Sequence, residues 1–414
     1  MRKGWIFGVL ALVLILIGSA PYLFAVQPFK QIVVWKFTQK VGRTVTIEKV
    51  HFSWTGPQRI EGIHIVTDEI DGKIDQMSST VPFWKIGSYV SGLEQISGSG
   101  TTHVNGQTGQ FSIEATRTEL DAINLQLTAS QMPTEKVLSL LKMDPAFLAL
   151  IGPSFNAAGS FATEQDTGKC DLKLSSTNMQ TSLQAEFTSS EITLLEPFTL
   201  ACYLTPEITK KLTRGAVSLQ SKTPARLRIE PKGFSCPRAF SLAKLRIPQA
   251  SIDLGRALLL DADLSTLATL LNNDRLSANQ IDLWFTNVDC KLQNGLFEMG
   301  RLDSLLADSI HLCAWGTVDL VKDKLNLIFG IPADTLAKSL RIQNVSSTFV
   351  LQVPITGSIE HPNVDATTAT AKIAALLAAN QVQKQGGVLG NVGRVIGKIS
   401  EEKSPPPKRP FPWE

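Results

Sequence analysis

The sequence predicts a mainly β protein with short helices, in which an antiparallel sheet follows a single amino-terminal transmembrane helix and precedes a carboxy-terminal helix. Three observations lead to this fold class. Residues 5–26 are apolar and uncharged, and a helix needs about 20 such residues to cross a bilayer. Most of the following chain alternates apolar and polar residues with a period of two, as half-buried strands do. A stretch rich in Ala, Leu and Gln near the end has the composition of a helix.

The amino-terminal apolar run is predicted to be an anchor that stays attached to the protein. Residues 1–3 are a short basic start that suits a cytoplasmic amino terminus, and residues 4–26 are the transmembrane anchor. A cleaved signal peptide is the alternative. Pro21 argues against cleavage because it directly follows the best small-residue site, and proline fits poorly after a scissile bond. Residues 27–42 carry apolar side chains at helical spacing, which predicts a membrane-proximal helix.

Residues 43–365 are predicted to form a β-rich body. Each alternating run places apolar side chains on one face and polar side chains on the other, which is typical of antiparallel strands. The clearest runs are residues 44–52, 111–115, 123–129, 172–174, 183–187, 227–229, 325–331 and 349–355. Short helices are expected to interrupt these strands at residues 134–141, 206–214, 257–271 and 333–340.

The composition changes in the carboxy-terminal part of the chain. Residues 366–400 are rich in Ala and Gly and are predicted to be helical, with glycines at three- and four-residue steps toward their end. Small residues at this spacing suit a helix packed closely on its own domain, or a contact at a membrane surface. Residues 401–414 contain a proline-rich tail, which is interpreted either as a docking peptide or as a disordered terminus.

Composition and motifs argue against nucleic-acid binding and against catalysis. The net charge is +3, and the basic residues are spread along the chain instead of clustering as a nucleic-acid-binding face requires. No nucleophile elbow, P-loop, zinc-protease motif or dinucleotide fingerprint is present, so we expect no enzyme activity and no cofactor. The five histidines are far apart, and none has a companion at metal-ligand spacing, so no metal site is expected.

The five cysteines are widely spaced and form no CxxC pair; they are Cys170, Cys202, Cys236, Cys290 and Cys313. In a reducing compartment we expect them to be small buried side chains. In an oxidising periplasm one or two pairs can form disulfides, for example Cys290 with Cys313. The odd count leaves at least one free thiol in either case.

Three segments of the chain resemble the AsmA-like family of bacterial envelope proteins, relatives of the bridge-like lipid-transfer proteins. The first joins the amino-terminal helix to residues 42–54, with GRTVTI at the start and FSW at the end, before a break at Pro57. The second is the strand pair 316–320 and 324–327, which a small helix follows. The third and most specific is VPITGSIEHPNV at residues 353–364, which is similar to the family's closing strand and turn.

The resemblance implies an elongated, strongly curved antiparallel sheet whose apolar concave face is a groove for acyl chains. It implies a single-pass protein of the bacterial inner membrane with its body in the periplasm. The implied function is phospholipid transport or lipid homeostasis between the inner and outer membranes. Membrane lipids are the expected partners, together with an envelope protein. The family supplies no catalytic residues. The candidate groove residues are Leu325, Leu327, Phe329, Phe349, Leu351, Val353 and Ile355.

A non-catalytic structural or assembly scaffold of the cell envelope is the alternative function. Strands with one apolar face must cover that face, either against a second layer of protein or around an apolar ligand. The alternating pattern is the same in both cases. A scaffold would have a closed core and no lipid cargo, whereas a lipid carrier would keep an accessible apolar surface.

Overall fold

The computed structural model describes residues 44–53, 57–66, 71–80, 95–104, 107–119, 122–140, 143–213, 215, 217–261, 264, 268, 271, 276, 278–342, 345–384 and 404–414. These residues form mainly antiparallel β-strands with five helices, so the predicted fold class is confirmed at this level. The predicted anchor at 4–26, the membrane-proximal helix at 27–42 and the glycine-rich residues 385–400 lie outside the described residues. Among the described helices, none combines the length and the apolar character that crossing a membrane requires.

The described residues divide into two compact units. Unit 1 contains the described residues up to Thr177 together with Gln184–Ser189. Unit 2 contains Asn178–Leu183 and Ser190–Glu414.

Unit 1 is built around an antiparallel meander of eight strands. The strands are β1 (Thr44–His51), β2 (Gln58–Val66), β3 (Asp71–Ser79), β4 (Gln95–Val104), β5 (Gln107–Glu119), β6 (Ala122–Pro133), β7 (Ser154–Glu164) and β8 (Thr167–Ser176). Each strand pairs with the next along the chain. Two helices, α1 (Thr134–Leu140) and α2 (Phe147–Ile151), connect β6 to β7.

The later strands vary more in length, and many of them do not pair with the next strand along the chain. They are β9 (Met179–Phe187), β10 (Glu191–Leu194), β11 (Phe198–Cys202), β12 (Leu219–Ser221), β13 (Ala225–Ile229), β14 (Cys236–Pro237), β15 (Arg246–Asp253), β16 (Arg256–Leu260), β17 (Gln280–Phe285), β18 (Val288–Gln293), β19 (Leu296–Leu306), β20 (Ile310–Asp319), β21 (Lys324–Pro332), β22 (Val350–Gly357) and β23 (Pro362–Val364). The helices are α3 (Pro206–Leu212), α4 (Ala333–Leu340) and α5 (Ala366–Lys384).

Two rows of strand pairing meet at β19 in unit 2. In the first row, β11, β13, β15 and β18 pair in that order and lead to the first half of β19. In the second row, β12, β16 and β17 lead to its second half. β19 has a register shift between Met299 and Leu302, the irregularity expected of a bulge. From β19 to β23 each strand pairs with the next, so one continuous set of strands serves both rows.

The main core of unit 2 lies on the second row. Leu283, Ile310 and Leu351 from the strands, Leu336 from α4 and Leu376 from α5 belong to one cluster and are each at most 5% exposed. The two helices thus cover the apolar face of this half of the sheet. Their packing removes from water the surface that the strands alone would leave exposed.

Five of the predicted helices fall on residues that the structure describes. Four of these occur near their expected positions, and one prediction is wrong at its start. The prediction 333–340 coincides with α4, and the 134–141, 206–214 and carboxy-terminal predictions correspond to α1, α3 and α5. The predicted helix 257–271 instead begins in strand β16. Ala and Leu favour a helix locally, but β16 pairs with both β12 and β17 and buries Ala257, so tertiary pairing overrides the local preference.

Candidate functional site

The register of β5 to β8 aligns the apolar side chains of four successive strands on one face of unit 1. Residues directly opposite each other in antiparallel strands point to the same side of the sheet. Three rows result, Phe111–Ala129–Ala157–Leu174, Ile113–Leu127–Gly159–Leu172 and Ala115–Leu125–Phe161–Cys170. These twelve residues are called the unit 1 apolar face below.

The unit 1 apolar face is only partly shielded from solvent. Ile113, Phe161 and Leu172 are 37%, 39% and 38% exposed, and the other nine residues are half-buried. Large apolar side chains that lie next to one another and remain accessible are typical of a binding surface, because water disfavours a contiguous apolar patch. This face is therefore the first candidate site.

Toward the start of the chain the same sheet carries a closed apolar cluster. Val45, Ile47, Val50 and Ile63 are buried there. Between this cluster and the unit 1 apolar face, β4 contributes glycines. A side chain at Gly100 would place its Cβ 2.5 Å from Cζ of Phe111, so the absence of a side chain makes room for the Phe111 ring.

The opposite face of these strands is polar. Its central row is Glu114–Gln126–Ser160–Asp171. The amide of Gln95 donates to Glu114 at 2.6 Å, and the amide of Gln184 donates to Asp171 at 3.0 Å. The sheet of unit 1 is therefore amphipathic, with one face suited to water and the other suited to an apolar ligand.

A similar apolar row crosses nine strands of unit 2. Opposite residues in the first row of pairing and its continuation are Phe198, Ile229, Ala250, Cys290, Met299, Gly316, Leu327, Ile355 and Val364. Val364 is 48% exposed, and most of the other members are half-buried. This row, called the unit 2 apolar row, lies outside the half of the sheet that α4 and α5 cover.

The seven candidate groove residues fall into two groups. Leu325, Leu327 and Ile355 are half-buried, and two of them belong to the unit 2 apolar row. The other four are more enclosed: Leu351 is 0% exposed in the core, Phe329 and Phe349 pack against that core, and Val353 is 3% exposed. The first group is accessible to a ligand, whereas the second is occupied with packing in this structure.

A second candidate site is a charged cluster on the other side of the unit 2 sheet. The guanidinium of Arg301 donates to the carboxylate of Asp303 through Nε at 3.0 and 3.1 Å and through Nη2 at 2.8 Å. His311 Nε2 lies 2.7 Å from the same carboxylate, and its Nδ1 lies 3.1 Å from Asp334. The side chains of Arg301, Asp303 and His311 are 7%, 0% and 7% exposed.

Two pKa shifts follow from this arrangement. Burial disfavours protonation of His311, but its hydrogen bonds with Asp303 and Asp334 outweigh burial and raise its pKa. Burial alone would raise the pKa of Asp334, yet the neighbouring His311 lowers it below its usual value. The protonated imidazole and the two carboxylates thus stabilise one another.

The charged cluster suits a structural role better than a catalytic one. Both ring nitrogens of His311 are engaged by carboxylates, so neither is directed at a substrate. Within the described ranges, no group of three or more His, Cys, Asp or Glu side chains has an arrangement that could hold a metal ion. The sequence reasoning missed this cluster. Its one signal is Arg301 and Asp303 two residues apart on a strand, ahead of His311 across a tight hairpin.

All five cysteines are free thiols. Cys290 lies in the unit 2 apolar row, whereas Cys313 is opposite Asp303 and so lies on the other face of the sheet. The suggested disulfide between these two cysteines is therefore wrong. Burial raises the pKa of Cys290 to about 11 and that of Cys313 to about 12, so both thiols are protonated at neutral pH.

Comparisons with protein-family models, with characterised proteins and with solved structures found no match for this chain. The AsmA-like resemblance therefore stays a prediction. Its most specific segment, residues 353–364, covers the end of β22 and the whole of β23, which pair through Ile355 and Val364.

Proposed function

We propose that this protein binds lipid acyl chains along the apolar faces of its sheets and supports phospholipid transport or lipid homeostasis between the inner and outer membranes of a bacterium. The observation that carries the proposal is the unit 1 apolar face, which stays accessible although it is continuous over four strands. The unit 2 apolar row repeats the arrangement. The elongated, curved groove of the AsmA-like family is the shape in which such faces would serve lipid transfer.

The chemistry of the faces fits acyl chains. They consist mainly of aliphatic and aromatic side chains, and in unit 1 the opposite face of the sheet is polar, so an apolar ligand gains most by contact. Each methylene group moved from water onto such a surface contributes about 0.8 kcal/mol. Transfer along the face is passive, with lipid tails on the apolar side chains and head groups in water, and a lipid gradient or a partner supplies the direction.

The proposed location is the bacterial inner membrane, with a single transmembrane helix and the body in the periplasm. Residues 5–26 support this because they are uncharged and apolar over the length that a spanning helix needs. An anchor there would hold β1, which starts at Thr44, fewer than twenty residues along the chain from the bilayer.

A non-catalytic envelope scaffold is the second candidate. The observation that favours it is the core of unit 2, in which α4 and α5 already cover half of the apolar face of the sheet. Mass spectrometry of the gently purified protein separates the two functions, since a carrier should copurify with phospholipid and a scaffold should not.

Photo-crosslinking tests the lipid contact directly. A photoreactive phenylalanine analogue replaces Ile113 or Phe161 in the unit 1 apolar face, and the protein is irradiated in bacterial cells. The matched controls replace Ser112 and Ser160, which are the neighbouring residues on the polar face. We expect phospholipid adducts, identified by mass, at the two apolar positions and far fewer at the two serines.

Two results would count against the proposal. One is the absence of lipid adducts at both apolar positions in protein that is folded by circular dichroism. The other is an equal yield on both faces, which would indicate nonspecific contact with membrane lipid.

A further inference from the structure

The proline-rich residues 404–414 lie against unit 2. Of these eleven residues, Pro405, Pro406, Pro407, Pro410 and Pro412 are prolines. A chain of this composition favours the extended polyproline II conformation, in which the carbonyl groups point outward and remain available to donors. Phe411 is nevertheless only 5% exposed, so this segment is docked and not merely extended.

Arg301 of unit 2 forms a hydrogen bond with the backbone of the segment. Nη1 of Arg301 donates to the carbonyl oxygen of Pro406 at 3.4 Å. Asp303 holds the guanidinium in place through Nε and Nη2, so Nη1 is the nitrogen left for the segment. A proline carbonyl bound by a fixed arginine fixes the register of the peptide without requiring any particular side chain at that point.

Aromatic contacts fix the other end of the segment. The ring of Phe411 meets His311 edge to face, with centroids 5.6 Å apart. Trp413 meets Trp284 edge to face at 5.0 Å and stacks on Phe411 at 5.0 Å. Grooves with aromatic side chains are the usual receptors for proline-rich peptides, because the rigid peptide loses little entropy on binding.

Charged groups complement these contacts. Arg409 forms an ion pair with Asp289 of β18. Within the segment, Lys408 pairs with Glu414 at 2.7 Å and closes a turn around Phe411. These pairs are exposed, so they serve orientation more than affinity. A cavity of about 610 Å³ lies between the start of the segment and Phe349.

We propose that the surface formed by Trp284, Asp289, Arg301 and His311 is a peptide-binding site whose ligand is a proline-rich, basic and aromatic peptide, and that residues 404–414 of the same chain occupy it as a tethered ligand. Occupancy covers the charged cluster and keeps Arg301 and His311 out of water. A tethered ligand acts at an effective concentration near the millimolar range, so it competes strongly with any free peptide of the same kind.

Fluorescence anisotropy with a labelled synthetic peptide of residues 404–414 tests the proposal. The receptor is the full chain, either unchanged or with Phe411→Ala and Trp413→Ala to weaken its own ligand. The altered chain should bind the peptide at least about tenfold more tightly than the unchanged chain does. The reason is that its own residues 404–414 no longer compete with the peptide for the site. A Ser404→Ala chain is the matched control, because this exposed residue precedes the anchoring contacts, and it should behave as the unchanged chain does.

A second comparison tests whether the free peptide binds in the same orientation as the tethered segment. Asp289→Asn in the altered receptor should weaken the peptide about two- to fivefold, as expected for one exposed ion pair. The same change should have no effect on a peptide carrying Arg409→Ala. A peptide with Phe411→Ala and Trp413→Ala should not bind either receptor.

Three results would overturn the proposal. Equal peptide affinity for the unchanged and altered chains would show that the segment does not occupy the site. No binding to the altered chain, when that chain is folded by circular dichroism, would show that the surface is not a peptide site. A dimer in sedimentation that dissociates on Phe411→Ala would show that the segment docks on a second copy and not on its own chain.

Discussion

Asp303 is fully buried, and its carboxylate accepts hydrogen bonds from Arg301 and interacts with His311. Removing a buried charge from its partners is costly, whereas a fully paired buried charge mainly fixes local geometry. The hydroxyl of Thr286, the residue after β17, accepts from the backbone N–H of Asp303 at 3.0 Å, which links the end of β17 to β19. These contacts fix the conformation of the sheet next to the register shift in β19.

The raised pKa of His311 predicts a dependence of stability on pH. Because the folded-state pKa lies above the unfolded value of about 6.5, the contribution of the protonated ring is complete below that pH and is lost as the pH rises through the folded pKa. The lowered pKa of Asp334 acts at the acid end, where stability is lost as the pH falls through that folded pKa. Urea denaturation across this range should show stability declining on the alkaline side.

His311→Gln is the matched variant for this prediction. Glutamine keeps hydrogen-bonding groups but does not titrate, so the alkaline decline should disappear while the acid limb from Asp334 is much reduced. An unchanged alkaline decline in His311→Gln would assign it to another group.

At the scale of elements, α4 shows how helices complete the core of unit 2. Leu336 is 0% exposed, and Thr335 of the same helix donates to the carbonyl oxygen of His311 at 2.6 Å. The helix ends at Leu340, and the next residue, Arg341, adopts a left-handed backbone conformation. Asn380 of α5 donates to the carbonyl oxygen of Arg341 at 2.9 Å, so the two covering helices are linked as well as packed.

Leu336→Ala should destabilise the protein by about 2–5 kcal/mol, because it leaves a cavity in a close-packed core. Leu212→Ala in α3 is the control, since this side chain is 73% exposed and its loss should cost no more than about 0.5 kcal/mol. Urea denaturation of both variants measures the difference. Similar stabilities for the two would mean that α4 is not part of the cooperative core.

Some strands and helices are predicted well by their own sequences, and others are not. The alternation of residues 111–115 and 123–129 predicted β5 and β6, because one face of each strand is apolar and the other is polar. The leucines of β16 carry no such alternation, so local propensity gave the wrong element. The accessible unit 1 apolar face could not be assigned from sequence, since a covered strand and an uncovered strand have the same pattern.

At the scale of the whole molecule, the reactivity of the five cysteine thiols tests whether the strands are arranged as described. All five cysteines are free, so the denatured chain without reductant should react with five equivalents of a thiol reagent. In the folded protein Cys290 and Cys313 should react slowly, because both are buried and their pKa values are raised to about 11 and about 12. Fewer than five equivalents in the denatured chain would reveal a disulfide and contradict the structure.

The charged cluster and the docked segment both depend on long-range contacts that a sequence pattern does not contain. Arg301 and Pro406 are 105 residues apart, and the proline content of residues 404–414 predicts an extended chain without naming a receptor. Phe411 and Trp413 are the signal in the sequence, because two large aromatic side chains within a proline-rich segment are costly to leave in water.

The contact between Trp284 and Trp413 has an optical consequence. Two indole rings with centroids 5.0 Å apart couple their strong electronic transitions, which produces a pair of bands of opposite sign in far-ultraviolet circular dichroism. Release of residues 404–414 separates the chromophores and abolishes that coupling. The chain therefore carries an intrinsic spectroscopic reporter of whether its proline-rich segment is docked, and no added dye is needed to follow it in real time.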